Sequence, residues 1–164
     1  MILNVREARP DEVQFAWPLY SEFVRKNIFN DSPSRAARDR WNEANESNRF
    51  SEYWSKTGRY MIEIDDKVVG WMAAVETSGK ITIENMFIVP EWQNKGIVER
   101  FMKEMTPVWR SKGLTIDVTL LKDGPTTAAI SAMLKTLGYK TVRKEDYSVK
   151  GVEDSPLTEI MCTE

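Results

Sequence analysis

The run Ile83-Glu84-Asn85-Met86-Phe87-Ile88-Val89-Pro90-Glu91-Trp92-Gln93-Asn94-Lys95-Gly96-Ile97-Val98 holds the residues best suited to chemistry in this chain. It reads as a strand ending in a Val-Pro turn, then a short glycine loop, then the start of an amphipathic helix. That order leaves backbone N–H groups unpaired beside the positive end of a helix, with a small gap at Gly96. Such a place suits a phosphate or pyrophosphate. The chain has no histidine. The commonest metal ligand and the commonest general base are therefore both missing.

The elements that must position this loop follow from periodicity. A first strand spans residues 2–5. A helix over 11–27 turns Val13, Trp17, Tyr20, Phe23 and Val24 inward, with Pro18 predicting a kink or a late start. A polar second helix is expected over 34–45. Residues 50–54 are aromatic without a clear period. Tyr60, Ile62 and Ile64 alternate, Asp65-Asp66-Lys67 turns, and 68–75 returns as a hairpin. Gly70 within it marks a bulge or a close backbone approach. Ile81, Ile83, Asn85, Phe87 and Val89 are expected on one face of the next strand.

A helix over 97–110 carries Val98, Phe101, Met102, Met105, Val108 and Trp109 at helical spacing, with Pro107 expected to bend or weaken its last turn. Residues 114–120 alternate as a strand. A helix from 125 shares Ile130, Met133, Leu134 and Leu137 on one face and stops at Gly138. Two short strands are expected within 139–149, then a surface tail from about 151. The succession predicts a single α/β domain over 1–164, a mixed central sheet with helices on both faces.

Bulk properties exclude several classes. A net charge of −2 on 164 residues gives no basic excess for nucleic acid. No apolar run is long enough for a bilayer, and the first residues lack the zones of a signal peptide. Cys162 is the only cysteine, so no intrachain disulfide forms and a reducing cytoplasm is expected.

The element order and the segment Gln93-Asn94-Lys95-Gly96-Ile97-Val98 together resemble the GNAT superfamily of N-acetyltransferases. Its signature is Gln or Arg, two residues, Gly, one residue, then Gly or Ala. Leu137-Gly138-Tyr139 is similar to the family's Leu-Gly-Phe/Tyr ending. The resemblance implies acetyl-CoA as acyl donor, with no metal. Amides around Asn94, Lys95, Gly96, Ile97 and Val98 would hold the pyrophosphate, with Gln93 and Lys95 beside them. Backbone groups of Phe87, Ile88 and Val89 would bind the pantetheine arm. Glu84 matches the family's glutamate that takes a proton from the acceptor, and Asn85 would orient acceptor or water.

Three positions depart from the pattern: Val98 stands where the family has a small residue, Leu134 where it has a tyrosine, and Thr127 where it often has an asparagine. Tyr139, Tyr147 and Ser131 are the remaining hydroxyls near the expected site. Trp41, Tyr53 and Trp54 are candidates for an acceptor pocket, and Asp31, Glu46 and Glu52 could attract a cationic amine. The resemblance implies direct attack by an amine, from a small molecule or a protein, and allows a homodimer. The alternative is a degenerate member that binds a partner or a CoA-like ligand without turnover.

Overall fold

The computed structural model describes residues 1–26, 41–56, 58–121, 127–146 and 157–162. Strand β1 (Leu3–Glu7) leads through a 3-10 turn, Pro10–Glu12, to helix α1 (Val13–Val24). Helix α2 covers Glu43–Trp54, taking in the last residues of the polar helix expected over 34–45 and the aromatic run 50–54 that shows no clear period, and its Asn42 cap accepts from the Asn45 amide at 3.0 Å. Phe50 and Trp54, four residues apart, are its buried pair. The earlier part of the polar helix expected over 34–45 lies outside the described residues up to 40.

Strands β2 (Arg59–Ile64), β3 (Lys67–Thr77) and β4 (Lys80–Ile88) form the central meander. Asp65 and Asp66 both take positive φ in the first turn, as a two-residue hairpin requires. A second 3-10 turn, Pro90–Trp92, leads to helix α3 (Ile97–Ser111), then β5 (Thr115–Leu121) and α4 (Thr127–Thr136). Strand β6 is Lys140–Asp146 and β7 is Leu157–Cys162.

One seven-stranded sheet runs in the order β1-β2-β3-β4-β5-β7-β6. Every neighbouring pair is antiparallel except β4 and β5. The end of the chain corrects the expected surface tail. Leu157–Cys162 inserts between β5 and β6 and pairs with both. Among the described residues a single strand, Lys140–Asp146, follows Gly138, and it runs through the turn expected at Lys144-Glu145-Asp146; residues 147–149 lie outside the described residues.

The sheet carries helices on both faces. On one, Ile83 and Ile116 pack with Phe101 and Trp109 of α3 and Leu134 of α4. On the other, Met61, Trp71 and Ala73 pack with Ala16 of α1 and with Phe50 and Trp54 of α2. Among the described residues, no helix is long and apolar enough to cross a membrane.

Two register features shape the centre. The β3–β4 pairing passes from Ala73↔Asn85 to Ala74↔Ile83, so Glu84 is an extra residue, a bulge in β4. An extra residue reverses the alternation beyond it. Ile81 and Ile83 face α3, but past the bulge Met86 and Ile88 take that side and Phe87 turns to α1 and α2. Asn85 and Phe87 thus lie opposite the face expected for them. Pairing between β4 and β5 also stops at Ile83↔Val118. The two strands part immediately before Glu84. Gly70 meets the expectation of close approach: a Cβ there would collide with the Phe87 carbonyl.

An ion cluster fixes the start of α1. Arg6 donates to both Glu12 oxygens at 2.7 and 2.8 Å and to Glu63 at 2.7 Å. The Arg6 guanidinium holds the Glu12 carboxyl below its usual range; at Glu63 the Asn4 amide does so first, then Arg6. Lowered folded values add stability above the ordinary carboxyl value of 4.5, and that stability is lost as pH falls through the lowered values. Arg6→Gln should therefore lower Tm by about 3 °C at pH 7, a loss near 1 kcal/mol. The gap between variant and parent should narrow in melts as pH falls below 4.5 and through the lowered values. A gap that persists undiminished there would assign the effect to packing instead.

Candidate functional site

The loop between β4 and α3 is shaped by two residues in the left-handed region, Asn94 at φ 59° and Gly96 at φ 73°. Gly96 is the N-cap of α3, and no side chain caps that end. The first amides of α3 consequently have no intrahelical acceptor and no capping side chain. Positive φ on either side of Lys95 is the kind of backbone from which a concave N–H anion nest is built. A Cβ on Gly96 would meet nothing within 4 Å, so the loop opens onto free space. Gln93 ties the loop down: its Nε2 donates to the Ile88 carbonyl at 2.9 Å.

Gly96 also lines a cleft of about 510 Å³, an ordinary size for a small-molecule site. Phe87, Ile88, Gln93, Asn94, Gly96, Ile97 and Val98 all line it. They are seven of the nine residues expected to hold a cofactor. The other two lie beside it. Lys95 carries its Nζ 5.0 Å above the ring of Trp92, which itself lines the cleft. The Val89 amide donates to the Val69 carbonyl at 2.9 Å, towards β3. Antiparallel bonding alternates, so the amides and carbonyls of Met86 and Ile88 face the side where β5 has departed.

Sequence reasoning missed several walls of this cleft. Leu19, Glu22 and Phe23 come from α1, Lys26 from just past its end, and Ala129, Ile130 and Met133 from α4. The Met86 backbone was missed too, because only the bulge tells which strand residues face the gap. The helical spacing of Phe23 and Met133 was visible, but it does not distinguish a cleft wall from core.

Glu84 and Asn85 do not line the cleft. They sit at the bulge, further along β4. Glu84 is exposed and Asn85 half-buried. Tyr53 of α2 joins them: Asn85 Nδ2 donates to its hydroxyl at 3.0 Å, and that hydroxyl donates to Glu84 Oε2 at 3.4 Å. Burial chiefly raises the Tyr53 phenol to about 12, opposed by the Arg59 guanidinium and the Asn85 bond. Arg59 lies 3.7 Å above the Tyr53 ring.

The remaining hydroxyls and aromatic groups separate. Tyr139 is buried, its hydroxyl 2.9 Å from Thr106 Oγ1, so it serves the core. Leu134 is fully buried. Ser131 is nearly buried on α4, while Tyr147 and Asp31 lie outside the described residues. Trp54 is buried and spends its N–H on the Arg9 carbonyl at 3.1 Å. Trp41 stacks on Trp17 at 6.3 Å and donates to Glu43. Glu46 pairs with Arg49 at 3.3 Å.

Val98, the second residue of α3, is half-buried against the core and also lines the cleft. If its methyls crowd a bound diphosphate, Val98→Ala should tighten acetyl-CoA binding about 5-fold, near 1 kcal/mol. Calorimetric titration reads this directly, and equal or weaker binding would assign Val98 to packing alone.

Known structures share the architecture. The ribosomal-protein-S18-alanine N-acetyltransferase from Escherichia coli superposes with a TM-score of 0.60 at 12% identity, covering 99% of this chain and 93% of that one. The PaiA N-acetyltransferase from Thermoplasma acidophilum, in complex with coenzyme A, gives 0.56 at 14% identity, covering 100% and 99%. YncA from Salmonella typhimurium, with its cofactor acetyl-CoA, gives 0.61 at 14% identity, covering 100% and 94%. At these identities the likeness establishes the fold alone. No curated protein matches the chain in sequence. The sequence pattern of one family does, over residues 16–139, from α1 through the loop and cleft to the residue after Gly138. The chain belongs to the acetyltransferase (GNAT) family.

Proposed function

We propose that this protein is an N-acetyltransferase that moves the acetyl group of acetyl-CoA to an amine by direct attack. One observation carries the reading: the uncapped start of α3 opens onto a cleft that runs along β4, and the parting of β4 from β5 leads on to Glu84. The amides over 94–98 would hold the pyrophosphate, and the Met86 and Ile88 backbone would bond the pantetheine amides. Coenzyme A or acetyl-CoA in two neighbours of the same fold supports that choice of donor.

Glu84 takes a proton from the acceptor ammonium, directly or through water, which frees the nitrogen lone pair. The lone pair forms the N–C bond to the thioester carbonyl. The C–S bond breaks with its electron pair on sulfur, and the surplus nitrogen proton passes to the thiolate or to solvent. A thiolate is a stable enough leaving group to depart without a positioned acid, so Leu134 is compatible with turnover. Asn85 orients the acceptor side of the bulge.

The test has two stages. Acetyl-CoA titrated into the protein should bind with micromolar affinity, about −8 kcal/mol. Thiol release should then appear with some member of an amine panel spanning polyamines, amino acids, arylamines and N-terminal peptides. Failure to bind acetyl-CoA at millimolar concentration would refute the reading at its first step.

A further inference from the structure

We propose that the Tyr53 hydroxyl is a positioning group that holds Glu84 for proton abstraction, an inference that rests on the acetyltransferase reading above. Glu84 stands on an exposed bulge, where a free carboxylate would sample several rotamers. The Tyr53 hydroxyl removes that freedom. Asn85 Nδ2 can only donate, so it occupies a lone pair of the Tyr53 oxygen. The phenolic proton is left for Glu84 Oε2. Among the described residues Glu84 Oε1 has no hydrogen-bond partner, and it remains for the acceptor amine.

The hydroxyl is itself held. The Arg59 Nε donates to the Tyr53 carbonyl at 3.2 Å while the guanidinium covers the ring. Arg59 is 6% exposed, so this clamp lies within the fold. The phenol keeps its proton to about pH 12, and therefore stays a donor across the working range. At 3.4 Å the contact with Glu84 is long for an O–H donor. Hydrogen bonds of this kind commonly tighten when substrate excludes water. The sequence separations, 31 and 32 residues, make this a tertiary device of α2 and β4.

Tyr53→Phe keeps the ring and its Arg59 contact and removes only the hydroxyl. With an amine found active for the parent, kcat should fall about 10-fold, while the acetyl-CoA dissociation constant and Tm stay at parent values. The decisive arm is the double variant. If Tyr53 acts through Glu84, Tyr53→Phe/Glu84→Gln should be no slower than Glu84→Gln alone, within about 2-fold. Equal kcat for Tyr53→Phe and parent, or fully multiplicative losses in the double variant, would overturn this inference and leave the acetyltransferase reading standing. Acetyl-CoA binding without thiol release to any amine in the parent would overturn both.

Discussion

Replacing Gly96 by valine should weaken acetyl-CoA binding about 100-fold or more, the loss of two charge-assisted backbone bonds to phosphate. Gly96 sits at φ 73°, a conformation that costs a residue with a Cβ about 1–2 kcal/mol. A Cβ there would enter space that the protein leaves empty, beside the uncapped end of α3. A β-branched side chain would fill that space and press the loop out of its left-handed turn. Gly113 provides a matched control. It has φ 76°, it also has nothing within 4 Å of an added Cβ, and it lies just past the other end of α3. Gly113→Val should lower Tm by a similar amount and leave the dissociation constant unchanged. If both variants bind like the parent, the loop does not hold the donor.

Glu84→Gln should slow thiol release by about 100- to 1,000-fold, the usual contribution of a positioned base. Glutamine keeps the size and the polar contact with Tyr53 but cannot accept the ammonium proton at neutral pH. Glu84 does not line the cleft, so acetyl-CoA affinity should not change. The combination of lost kcat with retained binding is what separates a base from a structural carboxylate. A variant as fast as the parent would remove Glu84 from the mechanism and turn attention to water or to the acceptor's own ionisation.

The loop and the succession of elements were legible because each depends on local signals. The positions of Val89, Pro90 and Gly96, and the helical spacing of Phe101, Met102, Met105 and Trp109, are properties of one segment at a time. The bulge at Glu84 is not. It is a relation between β3 and β4, and nothing within Ile83-Glu84-Asn85 announces that one residue is surplus to the partner strand. A strict two-residue period therefore put Asn85 and Phe87 on the wrong face.

Most of helix α2 escaped notice because only Phe50 and Trp54 face the core squarely, amid Asn, Glu and Ser that carry no period. The return of Leu157–Cys162 into the sheet depends on partners in two other strands, 11 to 22 residues back in β6 and 37 to 45 residues back in β5. Tyr53 was visible as an aromatic near the expected site. Its bond to Glu84 could not be read, because α2 had not been placed against β4.

The central claim is that the amides over 94–98 enclose the linked phosphates of the donor. Amide NMR of the labelled protein during an acetyl-CoA titration tests it most directly. The account predicts large downfield shifts of the Asn94, Lys95, Gly96, Ile97 and Val98 amides, with smaller changes at Met86 and Ile88 along β4. Saturating binding that moves amides elsewhere and leaves 94–98 still would contradict it.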